Sequence, residues 1–249
     1  MKTFFVALAF AGAAFAVPAQ ADVLFDQISA DYTDANTYVW DSAQFDSADS
    51  AYDINLLDDF TLGANYNLTS IDAAVSGYDG FSSMAGITGY RVEIYSSTAA
   101  AANSLTGDIA SVTLSANDVN ITSPFSMTWS ANGLVHIPVD ISLAAGTYYL
   151  GVMTINDFNT NGESGILVDT TKSGNALQAN PNGGFGMDGN LHATYPAAQA
   201  SYRINGDLAA SPTPEPATWG MMLLSFGTVG AAVRRRKSVS ARAWQPMHN

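Results

Sequence analysis

The sequence predicts an all-β domain at residues 22–210, an antiparallel β-sandwich of jelly-roll type. Apolar and polar residues alternate along residues 134–143 (LVHIPVDISL) and residues 89–96 (GYRVEIYS), which is the period of a strand with one buried face. Turn sequences rich in Gly, Asn and Asp, such as SANG and NPNGG, separate these stretches. No part of the domain carries a sustained apolar stripe with the helical period of 3.6 residues.

Three strands can be described further from their residues. Pro138 lies within residues 134–143 and cannot donate a ladder hydrogen bond, so this strand is expected at a sheet edge or at a bulge. Residues 146–155 (GTYYLGVMTI) are apolar on both faces, which predicts a central strand covered on both sides. Further strands are expected at residues 59–62, 68–75, 109–114, 125–129, 165–169 and 201–205.

The first 21 residues have the pattern of a secretory signal peptide. Lys2 supplies the positive charge, residues 4–17 are apolar, and Ala19 and Ala21 form a small-x-small cleavage signature. Cleavage after Ala21 would make Asp22 the first residue of the exported protein.

The predicted domain is strongly acidic and has no cysteine. Residues 22–210 contain 21 acidic residues against three basic ones, a formal net charge of −18, whereas the whole chain carries −13. Such a surface repels polyanions, so no nucleic acid is expected among the partners. The absence of cysteine excludes disulfides, cysteine nucleophiles and thiolate metal sites.

Residues 173–196 (SGNALQANPNGGFGMDGNLHATYP) are predicted to form a long loop rich in Gly and Asn. Phe185, Met187, His192 and Tyr195 lie in this loop. These side chains either form an exposed contact surface or hold the loop against the sandwich, and the second alternative is favoured because isolated loop aromatics usually pack.

The segment DFNTNGES begins like a calcium-binding loop. Asp157, Asn159, Asn161 and Gly162 match its first half, in which alternate oxygen ligands converge on one cation. A complete calcium-binding loop of this type has a bidentate glutamate at its twelfth position, but that position is Val168 in this sequence. The alternative is a polar hairpin loop after the strand that ends near residue 155, and the sequence assigns no metal ligand.

Motifs for catalysis are absent from the sequence. It contains neither a G-x-S-x-G elbow nor an H-E-x-x-H zinc motif, and its histidines are His136, His192 and His248. The 21 acidic residues of the domain offer many pairs for a glycosidase, but the sequence selects none of them. We therefore expect a domain that is not an enzyme, with no catalytic residue and no cofactor. Two buried carboxylates facing each other in a cleft would favour a hydrolase instead.

The C-terminal residues combine three segments of different character. Residues 211–216 (SPTPEP) form a proline-rich linker. Residues 217–233 are 17 residues without a charge, predicted as a short transmembrane helix with Trp219 at its outer end. A basic cytoplasmic tail follows at residues 234–249, beginning with Arg234, Arg235, Arg236 and Lys237. This layout is that of either a cleaved sorting signal or a permanent single-span anchor.

The tail resembles the PEP-CTERM sorting domain of Gram-negative bacteria. The resemblance is carried by Pro214, Glu215, Pro216 and Trp219, followed by the apolar stretch and the basic residues Arg234–Lys237. It implies recognition by an exosortase, with processing at or near the Pro-Glu-Pro motif. It also implies contact with the inner membrane, transient or permanent, and delivery to the cell surface or the extracellular matrix. Twelve residues, SVSARAWQPMHN, follow the basic cluster, where such signals normally stop.

Residues 58–62, 143–152 and 202–208 also resemble segments of β-sandwich ectodomains that are attached to this signal. Two functions are therefore expected for the exported domain. The first is a structural or adhesive role at the surface or in a biofilm matrix. The alternative is a carbohydrate-binding module for exopolysaccharide, with or without calcium.

Overall fold

A computed structural model describes residues 21–30, 32–128, 130–194, 197–209, 221 and 223–226. The chain divides into two compact units, Met1–Ala209 and Ala210–Asn249. The first unit consists mostly of antiparallel strands with two short helices. Their bounds are β1 Asp22–Asp26, β2 Thr37–Asp41, β3 Ala43–Gln44, β4 Asn55–Leu62, β5 Tyr66–Tyr78, β6 Gly89–Tyr95, α1 Thr98–Asn103, β7 Ala110–Ser115, β8 Asn120–Thr122, β9 Gly133–Leu143, β10 Gly146–Ile155, α2 Phe158–Asn161, β11 Glu163–Asp169, β12 Leu177–Ala179, β13 Leu191–Ala193, β14 Gln199–Ala200 and β15 Tyr202–Leu208.

The strands form two sheets. In sheet A, the long strand β5 pairs with β9 along one edge and with β15 and β11 along the other. The outer strands pair with these: β8 with β9, β1 with β15, and both β2 and β14 with β11. Sheet B has the order β13-β12-β4-β10-β6-β7, and β3 runs parallel to the end of β10. The predicted all-β antiparallel architecture is confirmed at this level, and its jelly-roll type stays a prediction.

The inner faces of the two sheets pack into one main core. It contains the alternate residues of β6 and β9 that the sequence predicts as buried, among them Tyr90, Val92, Ile94, Val135 and Ile137. Smaller clusters cover the outer faces. Tyr32, Met127 and neighbouring side chains pack on Ala74 and Leu167 of sheet A. On sheet B, Ala101 of α1 packs with Leu57, Tyr95 and Ala179. Loops thus bury apolar residues that a two-layer pattern would leave exposed.

Pro138 lies at both an edge and a bulge. The pairing of β9 with β5 advances from Ile141 opposite Leu68 to Pro138 opposite Ser70, which leaves one extra residue in β9. Along this part, none of the described strands pairs with the other side of β9, because β8 reaches only residues 134–136. The missing N–H of proline therefore interrupts no ladder, as the sequence predicts. The prediction of a central strand is also confirmed, since β10 lies between β4 and β6.

Two predictions about backbone structure are wrong. Residues 125–128, expected as a strand, are not in a sheet, because Phe125 and Met127 instead cover the outer face of sheet A. Residues 173–196, expected as one long loop, contain β12 and β13, which pair with each other. The edge of β4 accepts β12 through the registers Leu177 to Leu57 and Ala179 to Asn55. Apolar content alone does not show which backbone has a ladder partner.

A buried ion pair lies on the outer face of β6. Glu93 is 0% exposed and accepts from Arg91, with 2.6 Å between Arg91 Nη2 and Glu93 Oε1. The other carboxylate oxygen, Oε2, accepts from the backbone N–H of Gly107 at 2.7 Å, and the Ser111 hydroxyl donates to Oε1 at 3.0 Å. This network fixes the loop around Gly107, which covers the outer face of β6. The alternation in the sequence had predicted that this face is exposed to solvent.

The first and last strands of the domain are neighbours. Asp22 of β1 lies opposite Gly206 of β15, and Asp26 lies opposite Arg203. An exposed ion pair joins them, with Arg203 Nε 2.9 Å from Asp26 Oδ2.

In the second unit, residues 221 and 223–226 are helical, and Met221, Leu223, Leu224 and Phe226 expose most of their side-chain surface. Within the described part of the chain, no helix combines the length and the apolar composition that a membrane span requires. All of the predicted signal peptide (residues 1–21) except Ala21 lies outside the described residues. So do the predicted linker at 211–216, the predicted basic tail at 234–249 and most of the predicted span.

Candidate functional site

A concave site, which we call the aromatic pocket, lies where three connecting segments meet. Its volume is about 320 Å³, at the small end of the range of about 300–1,000 Å³ for small-molecule sites. Four of its six lining residues are aromatic, two are carboxylates, and none is basic. They are Phe45, Asp49, Tyr52, Phe158, Glu163 and Phe185.

The four aromatic rings form two edge-to-face pairs. The ring centroids of Phe45 and Phe158 are 5.9 Å apart with an interplanar angle of 84°, and those of Tyr52 and Phe185 are 5.3 Å apart at 77°. This is a favourable geometry for aromatic pairs. Phe45 is buried, whereas Tyr52 and Phe185 are 45% and 40% exposed. Phe45 therefore forms an inner wall, and the second pair forms an accessible rim.

Asn180 connects the two segments that carry the rim. It is fully buried, and its Nδ2 donates to the carbonyls of Ala51 and Asp53 at 2.9 and 2.8 Å. Its Oδ1 accepts from the backbone N–H of Phe185 at 3.0 Å. Gly184 completes the contact, because a Cβ there would lie 2.4 Å from the Ala51 carbonyl oxygen. The backbone on both sides of the pocket is thus fixed by specific hydrogen bonds.

The proposed first half of a calcium loop folds around α2, and its three oxygen-bearing side chains have different surroundings. Asp157 caps the helix by accepting from the Thr160 N–H at 3.2 Å. Asn159 donates to Asp49 Oδ2 at 3.3 Å. Asn161 is buried, and its Nδ2 has no partner among the described residues. Gly162 takes the expected sharp turn, with φ of +68°.

These oxygens therefore do not converge on one cation. Among the described residues, no group of three or more His, Cys, Asp or Glu side chains could hold a metal ion. The alternative of a hairpin loop is also wrong, because β10 and β11 belong to different sheets and α2 lies in the crossover between them.

Three polar side chains meet on the outer face of sheet A, beside the aromatic pocket. The hydroxyl of Tyr78 donates to Asp41 Oδ2 at 2.7 Å, and the Glu163 carboxyl lies close enough to Asp41 and Tyr78 to raise the pKa of both. Glu163 lies opposite Tyr78 in the ladder, and Asp41 lies opposite Gly165 on the next strand. We call Asp41, Tyr78 and Glu163 the carboxyl cluster.

The carboxyl cluster favours a bound proton. Burial raises the pKa of Asp41 to about 7, and the negative charges of Glu163 and Asp79 add to this shift, while the Tyr78 hydrogen bond opposes it. Burial also raises the pKa of Tyr78, which stays a donor. Asp41 Oδ1 has no hydrogen-bond donor among the described residues, and its neighbour Glu163 brings a second acceptor. A shared proton would satisfy both carboxyls.

An open cleft of about 600 Å³ lies on the other side of the cluster. Tyr38 and Tyr78 line it and are 58% and 39% exposed, and Asp34 borders it. Asp34 accepts from the backbone N–H and the hydroxyl of Thr128 at 2.9 and 2.7 Å. We call this site the tyrosine cleft.

The aromatic residues of the predicted loop have different surroundings. Phe185 packs on Tyr52 and is also 40% exposed. It therefore combines the two predicted alternatives, a packing contact and an exposed contact surface. His192 lies against Trp40, with 6.0 Å between the ring centroids, and so holds β13 to sheet A. Tyr195 lies outside the described residues. His136, predicted on the polar face of β9, is exposed and pairs with Asp72 at 2.6 Å.

Sequence reasoning missed most of the aromatic pocket. Phe45 and Tyr52 belong to segments without a recognisable motif, and Phe158 lies in the DFNTNGES segment, whose pattern points to oxygen ligands and not to an aromatic site. Asn180 lies in a stretch that indicates only a turn. The high content of Gly and Asn at residues 180–190 was the one feature of the sequence that could have indicated this pocket. Glycine allows the backbone to approach another segment closely.

Comparison with known protein families identifies a motif near the C-terminus. Residues 212–237 match the family described as the PEP-CTERM protein-sorting motif. The chain therefore carries the predicted motif, which supports an exported protein with a membrane-anchored precursor that an exosortase processes. No curated protein and no solved structure matches the chain.

Proposed function

We propose that this chain, as the carrier of a PEP-CTERM protein-sorting motif, delivers a non-catalytic β-sandwich to the cell surface or the extracellular matrix. The match at residues 212–237 carries the proposal. Its Pro-Glu-Pro motif follows directly after the described domain, which ends at residue 209. The apolar stretch and the basic cluster would hold the precursor in the inner membrane until an exosortase acts. In its final location the sandwich would serve a structural or adhesive role.

The contacts of the buried carboxylates support a non-catalytic domain. Asp58 accepts from the Ala200 N–H at 2.8 Å and Asp53 from the Phe45 N–H at 2.7 Å, so each holds a backbone segment. Glu93 does the same for the loop at Gly107. Asp41 accepts from the Tyr78 hydroxyl at 2.7 Å and so joins β2 to β5.

The C-terminus of the mature protein tests the sorting step. We expect mass spectrometry of the surface fraction to find an end near residues 214–216, without Arg234–Lys237. Replacing Pro214, Glu215 and Pro216 together by alanine should leave the uncut chain in the membrane fraction, whereas Arg242→Ala, outside the matched residues, should be processed normally. An intact end at Asn249 in the wild-type membrane fraction would mean a permanent anchor and would contradict delivery to the matrix.

The tyrosine cleft favours a second candidate, a carbohydrate-binding module for exopolysaccharide. Its exposed tyrosine rings offer the apolar surface that sugar rings stack on, and Asp34 lies at its border. We expect pull-down on the organism's own polysaccharide to retain the protein without releasing new reducing ends. Tyr38→Ala should weaken retention about tenfold, because one stacking surface is lost.

The remaining outcomes of this pull-down decide between the alternatives. Equal retention with and without chelator indicates that calcium is not needed. Failure of the wild type to bind would remove this candidate, and release of reducing ends that Asp41→Asn abolishes would make the domain a hydrolase.

A further inference from the structure

We propose that the aromatic pocket binds a small organic cation with a quaternary ammonium head group. This inference does not depend on the proposed function, because it concerns only the six lining residues and their supports. The site combines four aromatic rings with two carboxylates and has no basic residue. Aromatic ring faces carry partial negative charge and attract cations within about 6 Å of the ring centroid.

The geometry of the rings makes their faces available. In an edge-to-face pair the edge of one ring meets the face of the other, so the first ring keeps both of its own faces free for another contact. Tyr52 and Phe185 are paired in this way and are about half exposed. The pair formed by Phe45 and Phe158 closes the opposite wall. A trimethylammonium group is compact enough to contact rings of both pairs in a site of about 320 Å³.

The charges of the site select a cation. Asp49 and Glu163 supply carboxylates at the pocket, and Asn159 orients Asp49 by donating to Oδ2 at 3.3 Å. The whole domain adds a long-range field, since residues 22–210 carry a formal net charge of −18. An anionic ligand would be repelled by both.

A sugar is a poorer match for this pocket. A bound hexose leaves hydroxyl groups unpaired unless the site supplies several donors and acceptors, and unpaired buried polar groups are costly. Among the lining side chains only Asp49, Glu163 and the Tyr52 hydroxyl are polar. A quaternary ammonium group has no N–H donor that would need an acceptor. It therefore loses no hydrogen bond against the phenylalanine rings.

The pocket is held in shape before any ligand arrives. Asn180 ties the Tyr52 segment to the Phe185 segment through three hydrogen bonds. The Gly184 N–H adds a fourth by donating to the Ala51 carbonyl at 2.9 Å. A site with a fixed backbone loses less conformational entropy on binding, so weak individual contacts suffice for measurable affinity.

Calorimetry with a matched pair of ligands tests the proposal. The probe is choline, and its neutral isostere 3,3-dimethyl-1-butanol replaces the positive nitrogen by carbon. The full-length chain is kept in a polyoxyethylene ether detergent, which carries neither a sugar nor an ammonium group. We expect choline to bind at least about tenfold more tightly than the isostere, because only the cation interacts with the ring faces and the carboxylates.

Variants locate the binding site. Tyr52→Leu and Phe185→Leu should each weaken choline binding about tenfold, and Asp49→Asn should weaken it several-fold at low salt and less at high salt. Tyr38→Leu changes an even more exposed tyrosine, in the tyrosine cleft, and should leave binding unchanged. Circular dichroism of each variant confirms that the sandwich is folded.

Three results would overturn the proposal. Equal affinity for choline and its isostere would show a merely apolar site. Binding of glucose or galactose that Tyr52→Leu abolishes, without binding of choline, would show a sugar site. Absence of choline binding to the folded wild-type chain at millimolar concentration would show that the pocket takes no such cation.

Discussion

Replacing Glu93 by alanine is expected to lower the free energy of unfolding by about 3–5 kcal/mol, the range for a broken buried ion pair. The change leaves the Arg91 guanidinium, which is itself mostly buried, without its charge partner. It also removes the acceptor for the Gly107 N–H and the Ser111 hydroxyl. The remaining hydrogen-bond acceptors of Arg91 are the Gln44 side-chain oxygen at 3.1 Å, the Leu105 carbonyl at 3.2 Å and the Thr106 hydroxyl at 3.4 Å, and all three are neutral.

Urea unfolding followed by circular dichroism measures this loss. Glu93→Gln should fall between alanine and the wild type, because it keeps an acceptor but loses the charge. Asp26→Asn is the matched control, since it breaks the exposed pair with Arg203 and should cost about 1 kcal/mol or less. If Glu93→Ala costs no more than this control, the loop around Gly107 must open and let water solvate Arg91, and the network does not hold the fold.

Raising the pH from 5 to 8 is expected to destabilise the domain by about 2–4 kcal/mol. Burial raises the pKa of Asp41 to about 7 and that of Asp58 to about 6, whereas an unfolded Asp titrates near 3.9. The folded state therefore holds protons that the unfolded state has released. The stabilisation is fully present below pH of about 4 and is lost as the pH rises through the folded pKa values. Asp108 and Asp169, whose pKa values are lowered, act in the opposite direction but below this window.

Asp41→Asn isolates the larger contribution. The asparagine amide can donate to Glu163 while its oxygen still accepts from Tyr78, so it reproduces the protonated carboxyl without titrating. At pH 8 this variant should be about 4 kcal/mol more stable than the wild type, and at pH 5 this advantage should shrink to about 1–2 kcal/mol. Unfolding midpoints at both pH values give the comparison. A pH dependence that survives unchanged in Asp41→Asn would place the titrating group elsewhere.

The sequence predicted what depends on local periodicity. The alternation of residues 134–143 identified β9 and its buried side chains, and Pro138 identified the bulge at the edge of the sheet. The same alternation placed Glu93 on the outer face of β6 but could not show that a loop covers that face. The prediction of a strand at residues 125–128 failed for a related reason, because Phe125 and Met127 pack on a sheet to which they do not belong.

The candidate sites were less predictable than the strands. Phe185 was identified as a possible contact residue, but its partner Tyr52 is distant in sequence and lies in no motif. The half motif at Asp157 suggested oxygen ligands, yet four residues of it form a helical turn that directs those side chains apart. The pairing of Asp41 with Glu163 depends on the registers of β2, β11 and β5, which are tertiary facts. The matched motif at residues 212–237 was recognisable because its order in the sequence is itself the signal.

The pairing of β1 with β15 sets the timing of folding during export. In a chain exported from its N-terminus, β1 would cross the membrane first, yet among the described strands it pairs only with β15, the last one of the domain. The edge of β1 would then stay open until β15 emerges. Contacts between such distant residues form slowly and expose strand edges to aggregation in the meantime. Sheet A can therefore be completed only when β15 has left the translocation channel. The sorting motif follows β15 in the sequence and would cross the membrane next. The domain would therefore complete its fold at nearly the same time as its sorting motif reaches the membrane.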